Sequence, residues 1–148
     1  MSEPIWTNDR FDEMSWHDNH VHALRVVEEA HGAGRLLLDL DYIIEWLGHS
    51  DGMRFRIVPA TLTFFDVTCL KVCIDYATPT AALGPFSIHA IERRSEQRER
   101  HTALLWRILL NWPAGEIAFE ASGFEQRGRG APVVCERQYL SADVRGGS

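Results

Sequence analysis

Apolar and polar residues alternate along most of the chain, so that every second residue tends to be apolar. The clearest run is 36–44, where Leu36, Leu38, Leu40, Tyr42 and Ile44 share one parity. Because successive side chains of a β-strand point to opposite faces, this pattern predicts strands that bury one face. About eight such runs, separated by turn residues, favour a mainly β fold. We expect a single-domain antiparallel β-sandwich or a strongly curved sheet, with at most one or two short helices.

The first predicted hairpin extends from His20 to Trp46. Its parts are a strand over 21–27, a turn over 31–34 whose glycines allow positive φ, and a strand over 36–44. A rival interpretation places a helical turn over 41–47. We favour the strand, because residues 48–52 (GHSDG) are typical of a loop between strands.

The rest of the chain follows the same alternation, interrupted by turn residues. Further strands are predicted over 55–58, 61–67, 69–76, 86–91, 104–112, 116–121 and 132–140. Loops or breaks are predicted over 78–85, 92–100 and 123–130, of which 92–100 is a mixed charge run expected to form a loop or a helical turn. Pro59 has no N–H for a ladder bond and predicts an edge or a bulge, and Asp66 is expected near a tight turn.

The composition suits one folded domain. Of the 148 residues, 45% are hydrophobic, which is enough to bury a sizeable core. No linker or repeat divides the chain, so we expect a single β-rich domain over 1–148. Within it, residues 1–14 are predicted as an N-terminal arm or short helix and 141–148 as a frayed tail.

Charge and cysteine content restrict the partners and the compartment. The formal net charge of −6 opposes nucleic-acid binding, which requires surfaces rich in Lys and Arg, and it permits a basic protein partner. Cys69, Cys73 and Cys135 are odd in number and irregularly spaced, so we expect reduced, half-buried thiols. The start MSEPIWTNDRF does not predict a signal peptide, and no apolar run approaches the roughly 18 residues of a membrane helix. A cytoplasmic protein without a nucleic-acid or membrane partner is therefore expected.

Three histidines within six positions are the first candidate for chemistry. On a strand, His20 and His22 would point to one face about 7 Å apart, so they could share a metal ion with His17 and with an oxygen of Asp18. In the competing interpretation, His20 and His22 occupy the same alternate positions as the apolar residues of this strand, so they face the core. They would then be hydrogen-bonded histidines at the rim of the core. We favour this second interpretation and predict no cofactor.

Two aspartates on the return strand are the second candidate. Asp39 and Asp41 share a face, as paired acid and base groups would. With a turn centred near Ala33, Arg25 lies opposite Asp41 and Val27 lies opposite Asp39, so Arg25 can reach both carboxylates. We favour this cross-strand ion pair, which contributes under about 1 kcal/mol if exposed. The same register places the aspartates on the face opposite the histidines, so a joint His/Asp site would need another register or a β-bulge.

No established catalytic motif is present. No serine lies in a G-x-S-x-G elbow and no G-x-G-x-x-G follows a strand, so no catalytic residue is predicted and an enzyme is not favoured. Tryptophans are numerous, and exposed ones mark interfaces. The open end of the first hairpin, formed by Trp16, His17, Asp18, His20 and Trp46, is the predicted binding surface.

Four segments carry a resemblance to known proteins: SWHDNHVHAL, LDLDYIIEW, FRIVPATLTFFDVTCLKVCIDY and NWPAGEIAFEASGFEQR. Together they resemble a family of uncharacterised bacterial proteins with the pattern sWHD…LDLDYIxEW…nWPxGEI, over residues 11–140. More loosely, the Trp-His-Asp start and the β-rich segments look like immunity proteins of bacterial toxin systems, of the immunity-50 type. Neither resemblance implies a catalytic residue, and the second does not identify a toxin.

Three functional hypotheses follow from these observations. The first is a non-catalytic protein-interaction domain, immunity-like in its role. The alternative is a metal- or small-ligand-binding protein, or a hydrolase, built on His17, Asp18, His20 and His22. The third is a homodimer formed by strand addition at a sheet edge.

Overall fold

The computed structural model describes residues 4–49, 52–77 and 83–140. Within these ranges the chain forms one antiparallel sheet of nine strands, which confirms the predicted mainly β fold. The strands are β1 (Ile5–Thr7), β2 (His20–Glu28), β3 (Gly34–His49), β4 (Gly52–Ile74), β5 (Phe86–Gln97), β6 (Thr102–Trp112), β7 (Gly115–Glu120), β8 (Gly123–Gly128) and β9 (Val133–Cys135). Two short 3-10 helices in the same ranges are Asn8–Glu13 and Ala30–Gly32. None of the helices described is long and apolar enough to cross a membrane.

The sheet curves until its two ends meet along β4. From β4 the hydrogen-bonded order runs through β3, β2, β5, β6 and β7, and β7 pairs with β4 again. The same edge of β4 pairs with β9 over 55–57, with β8 over 60–65 and with β7 over 68–74. β1 extends the sheet beyond β8. β4 can pair with several strands in succession because it is 23 residues long.

Two special positions mark the places where β4 changes its neighbour. Pro59 lies between the β9 and β8 pairings, and its carbonyl accepts a hydrogen bond from the Arg129 N–H at 2.7 Å. Its missing N–H would fall in the gap between these two pairings. On its other side Pro59 lies opposite Asp41 of β3 without a bulge, so the predicted edge or bulge is wrong and Pro59 lies inside the sheet. Asp66 and Cys69 have φ of 54° and 55° where the neighbour changes from β8 to β7. The tight turn predicted at Asp66 is therefore wrong: Asp66 bends a continuous strand.

Two predicted breaks are strands instead. The charge run over 92–100 continues β5 as far as Gln97, because Arg93 packs its guanidinium over the rings of Phe11 and Trp106 while β5 pairs with β6. The glycine-rich segment over 123–130 forms β8. A Cβ on Gly123 would lie 2.1 Å from the Asn8 amide, so this glycine permits close packing against the first 3-10 helix.

Four further predictions need correction or lie outside the described residues. Cys69 and Cys73 are exposed, because β4 turns Leu70 and Ile74 towards the core instead. The last predicted strand, over 132–140, is regular only in β9, and the residues after it cross the sheet without strand pairing. The predicted tail over 141–148 and most of the predicted loop over 78–85 lie outside the described residues.

The main core lies inside the curved sheet. The alternating leucines of β3 face it, as predicted, and are fully buried. Its other large, fully buried side chains include Phe64, Ile88, Trp106, Ile108 and Ile117. We call the β3 face that carries these leucines the inner face and the opposite face, which carries Asp39 and Asp41, the outer face.

A second, smaller core lies on the outer face. It contains Ile43, Phe55, Ile57 and Leu140, with Cys135 packed against it. Leu140 belongs to the C-terminal segment, which we define as residues 133–140. This segment therefore covers part of the face of the hairpin that carries the aspartates.

Candidate functional site

The register of the first hairpin differs from the predicted one. Arg25 lies opposite Leu37, Ala23 lies opposite Asp39, and His20 lies opposite Asp41. The turn is formed by the 3-10 helix Ala30–Gly32, so its centre lies earlier than the predicted centre at Ala33. The pairing also shifts between Val21 and Ala23, where His22 is the extra residue of a β-bulge.

This register brings together the histidine and the aspartate that the predicted register separated. The Nε2 atom of His22 lies 2.7 Å from Oδ2 of Asp41, which is 0% exposed. The same oxygen accepts a hydrogen bond of 2.8 Å from the Leu140 N–H. A joint His/Asp site required another register or a β-bulge, and the structure contains both. The Asp41 carboxylate connects β2, β3 and the C-terminal segment.

Asp39 does not pair with Arg25 either. Its Oδ1 accepts from the Arg129 guanidinium, which follows β8. The Arg25 side chain is exposed and makes no hydrogen bond or ion pair with the residues in the described ranges. The predicted ion pair of Arg25 with Asp39 and Asp41 is therefore wrong, because the turn displaces Arg25 along the strand.

Asp18 is the centre of a polar network before β2. Its φ is 62°, a left-handed conformation that aspartate tolerates better than most residues. Its N–H donates to the Ile88 carbonyl at 2.7 Å. Its carboxylate accepts from the side-chain amides of Asn111 and of Gln138, the latter at 3.0 Å. These bonds join the loop before β2 to β5, β6 and the C-terminal segment.

His17 lies beside this network at the surface. Its Nδ1 is 3.1 Å from the His89 carbonyl oxygen, and its Nε2 is 3.4 Å from Oδ2 of Asp18. Its ring stacks on Trp46, with ring centres 6.2 Å apart and planes inclined by 22°. Trp46 is 43% exposed and rests edge-on against Phe55 of the second core. The pair of His17 and Trp46 is therefore a fixed, exposed aromatic surface.

His20 lies under the C-terminal segment. Its Nδ1–H donates to the Asp18 carbonyl at 3.1 Å, and the ring centre of Tyr139 lies 4.7 Å from its own. Burial lowers the pKa of His20 below its usual value, and the neighbouring His22 lowers it further, against the opposing effect of the Asp18 carbonyl and carboxylate. His20 is therefore neutral at pH 7.

Trp16 does not belong to the surface at which it was predicted. It is 3% exposed, and its Nε1–H donates to Oε1 of the buried Gln126 at 2.8 Å. Its ring packs against the aromatic rings of Phe11, Tyr42 and Phe124. Trp16 therefore closes the main core and is not exposed at the predicted surface.

The four predicted metal ligands are not gathered around one point. His22 bonds to Asp41, His17 faces the His89 carbonyl, and His20 bonds to the Asp18 backbone. Among the described residues, no group of three or more His, Cys, Asp or Glu side chains could hold a metal ion. The donor set His17, Asp18, His20 and His22 therefore does not fit a metal in this arrangement.

Several residues of this region were not identified from the sequence. His89, Asn111, Gln138 and Tyr139 contact His17, Asp18 or His20, although they come from three distant parts of the chain. No spacing in the sequence connects them, because the contacts arise where β5, β6 and the C-terminal segment meet. We call His17, Asp18, Trp46, His89, Asn111 and Tyr139 the Trp46 face.

Comparisons with family models, with curated proteins and with solved structures found no match to this chain.

Proposed function

We propose that this protein is a non-catalytic protein-binding domain whose contact surface is the Trp46 face. The observation that carries the proposal is the exposed Trp46 ring, held between His17 and Phe55. Exposed tryptophans on a rigid support are enriched among the residues that dominate binding energy at interfaces. A fixed ring also loses little conformational entropy when a partner covers it.

The polar contacts around Trp46 support a preorganised surface. Asp18 connects to Asn111 and Gln138, and His17 faces the His89 carbonyl, so the loop before β2 is held by three other segments. Polar groups surrounding an exposed aromatic ring match the usual anatomy of an interface, an apolar centre with a polar rim. Tyr139, which lies on His20, is a further partly exposed aromatic residue at this face.

The net charge of −6 favours a partner with a basic surface, since opposite charge accelerates association. The proposal also has a more specific form, which the loose family resemblance supports. In this form the protein acts in the cytoplasm in an immunity-like role, and its partner is a toxin domain. The coarser proposal of a protein-binding surface does not depend on it.

The test compares Trp46→Ala with Val72→Ala in partner recovery from the native host. Val72 is similarly exposed, at 44%, but lies on β4, where it is not part of the Trp46 face. We expect wild type and Val72→Ala to retain a stoichiometric protein that Trp46→Ala loses. Titration calorimetry with that purified protein should then show at least about a 30-fold weaker Kd for Trp46→Ala, the size of an interface hot spot. Equal affinity of all three proteins would reject the Trp46 face.

Self-association through a sheet edge is a second candidate function. The observation that favours it is the edge of β2, which pairs with β5 only at His20 and Val21 and exposes Val26 and Val27 beyond them. Light scattering at tens of micromolar protein tests it, since weak contacts are populated in this range. A monomer under these conditions would reject it.

A measurement of metal content distinguishes the metal-binding or hydrolytic alternative from both proposals. Protein purified without a histidine tag would be supplemented with zinc, nickel and manganese and analysed for metal content. Stoichiometric metal that is lost on His20→Ala, together with a higher melting temperature in the metal-bound form, would favour the alternative over the protein-binding proposal. We expect neither, since the four predicted donors each serve contacts within the fold.

A further inference from the structure

Two hydrogen bonds join the end of the C-terminal segment to the first hairpin. The Gln138 side-chain amide donates to the Asp18 carboxylate at 3.0 Å. Two residues later, the Leu140 N–H donates to the buried carboxyl group of Asp41 at 2.8 Å, and the Leu140 side chain packs in the second core. The end of the segment is therefore attached both to the loop before β2 and to β3.

The remainder of the segment makes few contacts with the fold. β9 pairs with β4 over three residues, from Val133 to Cys135. Of residues 133–140, all of which the structure describes, only Leu140 is buried, and the second core that it enters is separate from the main core. Segments that bury little apolar surface open locally at a lower free energy than the whole fold. We therefore expect this segment to leave the outer face while the main core stays intact.

Phe55, which contacts Trp46, is supported by the segment. The Trp46 ring lies edge-on against Phe55, with ring centres 4.9 Å apart. Phe55 is opposite Cys135 of β9 and shares the second core with Leu140. Because the segment supports Phe55 from these two positions, its departure removes packing that fixes the ring next to Trp46.

His17 also contacts Trp46 and is connected to the segment. The ring centres of His17 and Trp46 are 6.2 Å apart. The Nε2 atom of His17 lies 3.4 Å from Oδ2 of Asp18, the same oxygen that accepts the hydrogen bond from Gln138. Release of Gln138 removes a donor from this oxygen, so the loop that carries His17 loses one of its connections to the rest of the fold.

We propose that the C-terminal segment is a latch, which fixes the Trp46 face when closed and opens without unfolding of the main core. Its consequence for a partner rests on the proposed binding function of the Trp46 face. Because the coupling between two sites is reciprocal, a partner that needs the closed form also holds the segment closed. Closure of the latch and binding of a partner therefore favour each other.

Amide hydrogen exchange of the free protein tests whether the segment opens by itself. The Leu140 N–H, which bonds to Asp41, exchanges when the segment opens. The N–H of Leu38, which is fully buried in the main core, exchanges only when the fold opens. We expect the protection factor of Leu140 in wild type to be at least about tenfold lower than that of Leu38. Equal protection would overturn the proposal, because the segment would then open only with the whole fold.

Leu140→Asp is the variant that opens the latch, and Val134→Asp is its control on the same segment. Leu140 is 3% exposed and Val134 is 49% exposed, so only the first change places a charge in an apolar core. In NMR spectra, the Trp46 indole N–H signal should move in Leu140→Asp and stay in place in Val134→Asp. The indole signal of Trp106, which is buried in the main core, should match wild type in both variants.

Each other outcome rejects a defined part of the proposal. If the amide at position 140 loses its protection in Leu140→Asp while the Trp46 signal stays in place, the segment does not fix the Trp46 face. If the Trp106 signal moves as well, the main core is not independent of the segment.

These measurements need no partner, so they separate the latch from the proposed function. With a purified partner that needs Trp46, Leu140→Asp should weaken the Kd at least about tenfold relative to Val134→Asp. Equal Kd values would reject control of binding by the latch. A partner whose Kd is unchanged by Trp46→Ala would reject the proposed function and leave the latch standing.

Discussion

Both faces of the β2–β3 hairpin contain buried residues, but their burial differs in kind. The inner face buries leucines such as Leu38 in the main core, where dispersion and the hydrophobic effect stabilise these side chains. The outer face buries Asp41, a polar residue, whose carboxyl group hydrogen-bonds to His22 and accepts from the Leu140 N–H. A buried apolar residue needs only neighbours that fill space, whereas a buried carboxylate needs donors at defined positions.

The two aspartates of the outer face also differ in how far they are buried. Asp39 and Asp41 lie two residues apart on one face of one strand, yet Asp39 bonds to the guanidinium of Arg129 and keeps a side chain that is partly in solvent. Asp41 lies under the C-terminal segment and is completely covered. The position of a distant segment, rather than the residue type, makes one of the two aspartates structurally important.

Leu38→Ala should have the largest effect on the inner face. It removes a fully buried side chain and leaves a cavity, so we expect the free energy of unfolding to fall by about 2–5 kcal/mol. Urea denaturation followed by tryptophan fluorescence would measure this loss. A loss under about 1 kcal/mol would mean that the leucines of β3 do not form the centre of the core.

Asp41→Asn should have the next largest effect, with Asp39→Asn as its matched control. The amide replaces the buried carboxyl group that His22 and the Leu140 N–H contact, so we expect a loss of about 1–3 kcal/mol. Asp39→Asn should cost under about 1 kcal/mol, because its ion pair is partly exposed. Hydrogen exchange at Leu140 should accelerate in Asp41→Asn alone. Equal costs for the two variants would contradict the contrast between these aspartates.

The pH dependence of His20 tests how tightly the C-terminal segment covers the outer face. The folded-state pKa lies below the usual 6.5, so the unfolded chain binds protons more readily. The stability contributed by neutral His20 is complete above pH 6.5 and is lost as the pH falls from 6.5 through the folded-state pKa. An NMR titration of the His20 ring should therefore give a pKa below 6.5, and Tyr139→Ala should raise it. Titration at or above 6.5 in wild type would contradict this burial.

Arg25→Ala should have the smallest effect on the stability of one chain. Because Arg25 contacts neither aspartate, we expect a change under about 0.5 kcal/mol in the free energy of unfolding, measured at a concentration where the chain is monomeric. A larger loss, coupled to Asp41→Asn in a double-mutant cycle, would restore the predicted ion pair of Arg25 with Asp41.

The sequence predicted the hairpin but not its register. Alternation identified β3 and the face of its leucines because that pattern depends only on the local geometry of a strand. Which residue of β2 lies opposite each residue of β3 depends instead on the conformation of the turn. The 3-10 helix at 30–32 and the bulge at His22 together shift this register from the predicted one. The sequence shows glycines in the turn, but a glycine permits several backbone conformations and does not determine which one the turn adopts.

The residues of the predicted surface come together only in part. His17, Asp18, His20 and Trp46 do lie near one another, as expected for the open end of the hairpin. Trp16 instead enters the core, because the loop before β2 turns it towards Gln126. Both tryptophans were predicted at the open end of the first hairpin, and that placement did not distinguish the buried one from the exposed one.

The sequence by itself determined the secondary structure class and the leucine-lined inner face. Both follow from which residue types alternate, and strand geometry converts that order directly into faces. Only the tertiary structure decided the strand order, the contact of His22 with Asp41, the bonds by which Asp18 joins four segments, and the covering of part of the outer face by residues 133–140. These contacts connect residues separated by up to about 120 positions, and their geometry depends on how the whole sheet curves.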